Sequence, residues 1–251
     1  MSEAIIEVRD LTIGYDRRII MQDLNFSVLR GEVFCIMGGS GCGKSTLMKH
    51  LIGLYRPMDG EIRLFGQSIV AAKEEAKQKL MRRFGVTYQG GALFGSMTVA
   101  ENIMLPLAEY TDLSESEQRE VAEAKLKQVD LAGYGDYMPS ELSGGMMKRA
   151  GLARALALDP ELLFFDEPSA GLDPITSAGL DRLILRMREE SGATIVVVTH
   201  ELDSVFTIGE HIIMLDKEAK TIVAEGSPRD LRDSSANEWV RHFLSRDGLK
   251  R

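Results

Sequence analysis

A chain of 251 residues with 44% hydrophobic and 27% charged residues can bury a large core, and its length suits one α/β unit with an inserted lobe. Its formal net charge of -8 argues against nucleic-acid partners and against a general attraction to anionic lipid. No apolar run approaches the roughly 20 residues that span a bilayer, and Met1-Ser2-Glu3-Ala4-Ile5-Ile6-Glu7 lacks the basic start and apolar core of a signal peptide, so the expectation is a chain neither secreted nor integral that meets the membrane through a protein partner.

The first part, near residues 1–87, carries β-rich patterns such as Ile5-Ile6-Glu7-Val8 and Glu61-Ile62-Arg63-Leu64; Tyr15 by itself reads as a strand core residue. The apolar run Val33-Phe34-Cys35-Ile36-Met37 leads into Gly38-Gly39-Ser40-Gly41-Cys42-Gly43-Lys44-Ser45-Thr46, and Leu47-Met48-Lys49-His50-Leu51-Ile52 follows. Strand, glycine-rich loop, helix: the pattern G-x-x-x-x-G-K-S in this order is a nucleoside-triphosphate site. Glycines that tolerate unusual φ/ψ turn successive backbone N–H groups onto the β-phosphate at the positive end of the next helix. Lys44 then adds a point charge at the β/γ-phosphates, and Ser45 offers its hydroxyl to Mg²⁺. Cys35, in the strand, and Cys42, in the loop, make neither a disulfide framework nor a metal site and read as free thiols.

From Gln89 to about Asp159 the pattern turns helical, and this stretch reads as the inserted lobe. Ser114-Glu115-Ser116-Glu117 is the start of a capped helix running through Val129. In Gly90-Gly91-Ala92-Leu93-Phe94, flexible glycines adjoin apolar side chains that either pack in the core or receive a partner helix. Leu142-Ser143-Gly144-Gly145-Met146, about a hundred residues after the first glycine cluster, opens a helix from Met147 through Ala157. Ser-Gly-Gly alone reads as a plain helix cap. Its N–H groups can also bind an anion, and since one nucleotide does not need two cradles from one small domain, the second cradle points to a dimer with shared sites.

From Pro160 to Glu225, strand patterns alternate with a helix near Leu180–Glu190, which restores a βαβ arrangement and a parallel sheet. Leu162-Leu163-Phe164-Phe165-Asp166-Glu167 is a buried strand ending in two carboxylates; at such a strand end Asp166 suits Mg²⁺ and Glu167 the polarisation of an attacking water, the alternative being a solvated loop start. His200 follows the apolar strand Ile195-Val196-Val197-Val198-Thr199. Residues 226–251 form a tail in which Trp239, Val240, Phe243 and Leu244 share one face of a short amphipathic helix, while Arg241, Arg246, Lys250 and Arg251 stay solvated.

In this order the motifs resemble the nucleotide-binding subunits of ATP-binding cassette (ABC) transporters over nearly the whole chain. Leu142-Ser143-Gly144-Gly145-Met146 is similar to the family signature, Gln89 to the glutamine of the Q-loop, Ser169-Ala170-Gly171-Leu172-Asp173 to the D-loop, His200 to the switch histidine at the γ-phosphate, and Tyr15 to the aromatic that stacks on adenine. The resemblance implies an α/β P-loop NTPase (RecA-like) core with a mostly parallel sheet, residues 1–87 and 160–225, an N-terminal antiparallel β subdomain, an inserted α-helical subdomain at 88–159, and the tail at 226–251. It implies ATP and Mg²⁺ as cofactors. Glu167 and His200 would be catalytic; Tyr15, Gly38 through Thr46, Gln89, Ser143, Gly144 and Gly145 would bind the nucleotide; Ser45, Gln89 and Asp166 would face Mg²⁺.

The common signature ends in glutamine where this chain has Met146, so a polar contact to the nucleotide or the partner subunit is absent. With Gly91-Ala92-Leu93-Phe94, Met97-Thr98-Val99-Ala100-Glu101-Asn102, Gly144-Gly145-Met146-Met147-Lys148-Arg149 and Asp166 through Ile175, that departure is similar to the ATPase of Mla-type lipid transporters. The partners this implies are a second copy of the chain, an integral membrane permease, an MCE-domain lipid-binding protein and a small STAS-domain subunit, at the cytoplasmic face of the inner membrane. Other readings are a soluble ABC-type ATPase of ribosomes or DNA, which usually has two cassettes or a coiled-coil insertion, and an ATP-dependent scaffold in cofactor assembly.

Overall fold

The computed structural model describes residues 3–16 and 18–245. In chain order its elements are β1 (Ala4–Tyr15), β2 (Arg18–Leu29), β3 (Val33–Gly38), α1 (Lys44–Leu51), β4 (Asp59–Leu64), β5 (Gln67–Ser68), α2 (Glu74–Met81), β6 (Phe84–Thr87), α3 (Val99–Tyr110), α4 (Glu115–Gln128), α5 (Gly144–Ala155), β7 (Leu162–Asp166), α6 (Pro174–Ser191), β8 (Thr194–Val198), α7 (Leu202–Ile208), β9 (His211–Asp216), β10 (Thr221–Gly226), α8 (Pro228–Ser234) and α9 (Glu238–Ser245). They form two compact units: residues 1–80 with 194–251, and residues 81–193.

In the first unit β1 lies between antiparallel neighbours β2 and β4, and β5 extends the sheet beyond β4. On β2, buried Leu24, Phe26 and Val28 alternate with exposed Asn25, Ser27 and Leu29, the period of a strand with one covered face. A second set of strands centres on β3, with β8 and β9 parallel on either side and β10 antiparallel on β9. Every residue of β3 and β8 is buried, as their unbroken apolar runs require of parallel strands covered on both faces. Phe34, opposite Val196 on one side and His211 on the other, stacks on Phe26 of the first sheet at 5.6 Å and on the His211 ring at 5.5 Å. One aromatic column thus ties the two sheets of this unit together.

The second unit pairs β6 in parallel with the fully buried β7, Phe84 opposite Leu162 through Thr87 opposite Phe165, and packs helices around them. Capping boxes start α3 (Thr98 with Glu101) and α4 (Ser114 with Glu117), the second as its spacing predicts. Pro106, inside α3, lacks the amide that would bond the Asn102 carbonyl one turn back. The helix expected near Leu180–Glu190 starts earlier, at Pro174, because Asp173 caps it and a proline suits its first turn. By contacts, β7 and α6 belong with the helices.

The tail helix forms as its periodicity predicts, with a correction to its faces. Val240 and Leu244 are the buried positions, while Trp239 and Phe243 are half-buried and meet each other at 5.3 Å. Arg241, expected in solvent, is half-buried and donates to the Ser235 carbonyl, since that carbonyl sits at the C-cap of α8, past the last intrahelical acceptor. Arg246, Lys250 and Arg251 lie outside the described residues.

Because Phe34 is wholly buried in the column that joins two sheets, Phe34→Ala should lower unfolding free energy by about 3–5 kcal/mol in urea titrations. A loss under about 1 kcal/mol would mean the column contributes little.

Candidate functional site

β3 ends at Gly38, and the chain turns through Gly41 (φ 71°) and Gly43 (φ 108°) before α1 begins at Lys44. Gly43 is the residue just ahead of α1, and a Cβ there would lie 2.8 Å from Ile20 Cγ2. Both the left-handed backbone and the space exclude a side chain. The amides that open α1 thus follow the turn with no side-chain cap, a helix N-terminus set up for an anion. Lys44, 7% exposed, folds its ammonium back onto the Gly38 and Gly39 carbonyls at 2.9 and 3.2 Å. Ser45 and Thr46 are half-buried on the first turn, Gly39 is half-buried, and Ser40 and Gly41 are exposed.

Cys42 is 2% exposed, and its sulfur would lie 2.7 Å from a Cβ placed on Gly38. Burial pushes its thiol above the ordinary cysteine range, against the opposing pull of Lys44. Tyr15 closes β1 with its hydroxyl 3.2 Å from Thr46 Oγ1 and its ring edge-on to Tyr55 at 5.5 Å. At 41% exposed it is no core residue; its hydroxyl contact places it beside the loop. His200, two residues past β8, has its side chain half exposed and its Nε2 3.6 Å from Glu201 Oε1. The first unit therefore brings together the loop residues and Tyr15.

The second unit carries the remaining predicted residues. Asp166 is the buried last residue of β7, and Glu167 follows half-buried at φ 49°, the left-handed region uncommon for residues other than glycine. Glu167 through Ala170 form a tight turn, Ala170 N–H donating to the Glu167 carbonyl at 3.2 Å. Asp173 caps α6, accepting from Ile175 and Thr176 amides, and the Thr176 hydroxyl and amide hold its carboxyl below the usual range. Ser143 caps α5, its hydroxyl accepting from Met146 N–H at 3.3 Å. The first intrahelical bond runs from Met147 N–H to the Ser143 carbonyl, so the Gly144 and Gly145 amides precede the ladder, and nothing lies within 4 Å of a Cβ built on Gly144. Gln89 is exposed in the turn after β6.

Past Gln89 the sequence left Leu93 and Phe94 between core and partner surface. Leu93 is half-buried, but Phe94 is 52% exposed at the rim of a cavity of about 630 Å³ whose walls include Phe84, Val86, Leu105, Tyr110 and Arg154. Two residues that pattern reasoning passed over build this rim. Asn102, fully buried, accepts from Phe94 N–H at 2.7 Å and donates to the Phe94, Met97 and Thr98 carbonyls. Arg154 donates to the Gly91 and Ala92 carbonyls and lies over the Phe94 ring at 5.9 Å; burial holds its guanidinium below the usual range. A buried Asn on an otherwise apolar helix face was the available signal for the first; nothing local marks the second.

Residues 21–170 match the family model described as ABC transporter. Over 96% of this chain, 42% of residues are identical to the probable ribonucleotide transport ATP-binding protein mkl of Mycobacterium leprae, of whose length 68% is covered. The chain belongs to the ABC transporter family. It is also 40% identical, over 98% of itself and 89% of the relative, to the intermembrane phospholipid transport system ATP-binding protein MlaF of Escherichia coli K12. Among solved structures, cbiO1 of Clostridium perfringens superposes with TM-score 0.83 at 28% identity, covering 98% of this chain and 97% of that one. The ATP-binding cassette MJ0796, solved as a post-hydrolysis dimer with ADP and Pi, gives TM-score 0.79 at 30% identity over 88% of this chain and 98% of its own. The fold of this cassette is that of an ABC ATPase, with an antiparallel sheet, a mostly parallel sheet and helices, and the activity that goes with it is ATP hydrolysis. Among the described residues no helix is long and apolar enough to cross a membrane.

A thiol whose pKa burial has raised carries little thiolate near neutrality. Cys42 in the folded cassette should react with iodoacetamide at pH 8 about tenfold or more slowly than glutathione, and faster as pH rises toward 10. Peptide mass spectrometry reads the rate at each cysteine; reaction at the glutathione rate would show the loop does not shield it.

Proposed function

We propose that this cassette is the ATP-hydrolysing subunit of a transporter that moves phospholipid, working as a dimer of two copies beneath an integral membrane permease. The observation that carries the ATP site is the turn from Gly38 to Thr46, with positive φ at Gly41 and Gly43 and Lys44 folded onto the loop, ahead of an uncapped helix start. ATP lies on Gly38 through Thr46 of one copy, its adenine against Tyr15, with Ser143, Gly144 and Gly145 of the second copy completing the cradle. Glu167 polarises the attacking water, and His200 and Gln89 meet the γ-phosphate and its water. ATP closes the dimer, and hydrolysis reopens it.

Mg²⁺ suits the donors offered: the Ser45 hydroxyl, the Gln89 amide oxygen and the Asp166 carboxylate are all hard oxygens. Bound there, it would neutralise charge developing on the phosphate oxygens.

The permease helix docks in the cavity at Phe94. An aromatic half exposed at a rim, apolar walls and the Arg154 and Arg82 guanidiniums at Phe94 and Tyr110 support a helix with an apolar face and an acidic end. The phospholipid cargo follows the Escherichia coli relative, 89% of which is covered; the ribonucleotide named for the mycobacterial relative is the second reading, resting on 42% identity. An MCE-domain protein and a STAS-domain subunit complete the assembly at the cytoplasmic face of the inner membrane, where the cassette is peripheral and its tail supports subunit contacts.

Glu167→Gln should keep ATP binding, accumulate as the closed dimer and lose about a hundredfold or more in turnover, read by phosphate release and size-exclusion chromatography. Turnover within about twofold of the parent, under half a kcal/mol in barrier, would remove Glu167 from its role. Phe94→Asp should leave the ATPase of the isolated cassette within about twofold while abolishing co-purification with its permease from membranes; retained co-purification would place the docking helix elsewhere. Lipid and nucleotide analysis of the co-purified complex decides between the two cargoes.

A further inference from the structure

Glu167 holds φ 49°, so the direction of its carboxylate depends on whatever keeps the turn after β7 in place. The Ala170 amide closes that turn onto the Glu167 carbonyl at 3.2 Å. Lys148, on α5, reaches the same turn. Its ammonium donates to the Ala170 carbonyl at 2.6 Å and lies 3.4 Å from the Glu167 carbonyl, bridging both ends of Glu167–Ala170. Burial pushes the Lys148 ammonium below the usual lysine range, and the Glu167 charge pulls it back up, so the cation also stands within the field of the carboxylate. A lysine on a solvated helix face would have none of these partners. The helix that delivers it starts at the Ser143 cap, five residues earlier in sequence.

We propose that Lys148 is a positioning residue for Glu167: from the helix that begins at Ser143, its ammonium sets the Glu167–Ala170 turn and thereby aims the carboxylate. The inference rests on the assignment of Glu167 as the group that polarises water. The partners Lys148 shows are the Ala170 and Glu167 carbonyls. It acts through two carbonyls and a charge, so it affects the chemical step rather than ATP affinity. Arginine, which keeps the charge and donors, can take its place; methionine, of similar length but without either, cannot.

The test is a double-mutant cycle on the full chain, with steady-state ATPase and nucleotide binding read for the parent, K148M, K148R, E167Q and K148M/E167Q. The expected result is a kcat for K148M about tenfold or more below the parent with KM for ATP within about twofold, recovery by K148R to within about threefold, and a double variant no slower than E167Q alone. A lysine that only stabilised α5 would shift melting temperature, with kcat and KM close to the parent. K148M turnover within about twofold of the parent, an equally slow K148R, or losses that multiply in the double variant would each overturn the inference. If K148M does not fold, K148Q, which lacks the charge and the reach, takes its place under the same criteria. E167Q that turns over like the parent would instead overturn the Glu167 assignment and the inference with it, whereas a slow E167Q beside a parental K148M overturns the inference alone.

Discussion

At the end of β3 the backbone leaves a ladder in which all six residues are buried and enters a turn that no ladder supports. Backbone amides and carbonyls that were paired across strands must there find other partners. Glycine at 41 and 43 permits the turn, and Lys44 supplies the donors, giving its ammonium to the Gly38 and Gly39 carbonyls. The strand is anchored from behind by Phe34, held between Phe26 and His211. Two buried strands, β8 and β9, brace it in parallel on either side. A loop that has to present backbone groups to phosphate oxygens can do so with little reorganisation only when its base is this firmly packed.

The second unit solves a similar problem with α5. This helix begins in the Ser143 cap, sends Lys148 to the turn after β7, Arg149 to Asp130 and the Val129 carbonyl, and Arg154 to the Gly91 and Ala92 carbonyls. In each case a cation meets carbonyls that lie outside any helix or strand ladder. Charge-assisted bonds of this kind are stronger than neutral ones, and a half-buried site keeps water from replacing them. The helix also runs close to the turn it holds: a Cβ on Gly151 would meet the Gly91 carbonyl at 2.9 Å. Cradle, strand-end carboxylate and rim aromatic are thus all referred to one rigid element within this unit, so a displacement of α5 would be felt at each of them.

The charge balance gains meaning from that arrangement. A net charge of -8 says the surface as a whole repels polyanions, while several basic groups meet carbonyls or carboxylates of the chain itself, as Lys148 and Arg154 do loop carbonyls and Lys125 does Asp159 at 2.5 Å. The backbone amides at the starts of α1 and α5 carry no formal charge and leave no trace in composition.

The sequence by itself determined the elements whose cause is local. The glycine loop with Lys44 and Ser45, the apolar strands that end at Gly38 and Asp166, and the Ser114–Glu117 capping box are each specified by residues a few positions apart. Helix starts shifted by several residues where a cap reached further than the apolar period, as Asp173 does for α6. Only the tertiary structure decided that Phe94 faces outward, that Tyr15 stands beside Thr46 rather than in the core, and that Arg241 is drawn out of solvent. The same holds for Lys148 and Arg154. Each is an ordinary polar residue on a helix, and its role arises from carbonyls of loops that folding brings alongside; Lys148 and Arg154 bond to chain 22 and 63 residues away. Periodicity and capping report neighbours along the chain, whereas the partners of these side chains are fixed by packing of strand on helix, which a one-dimensional pattern does not contain.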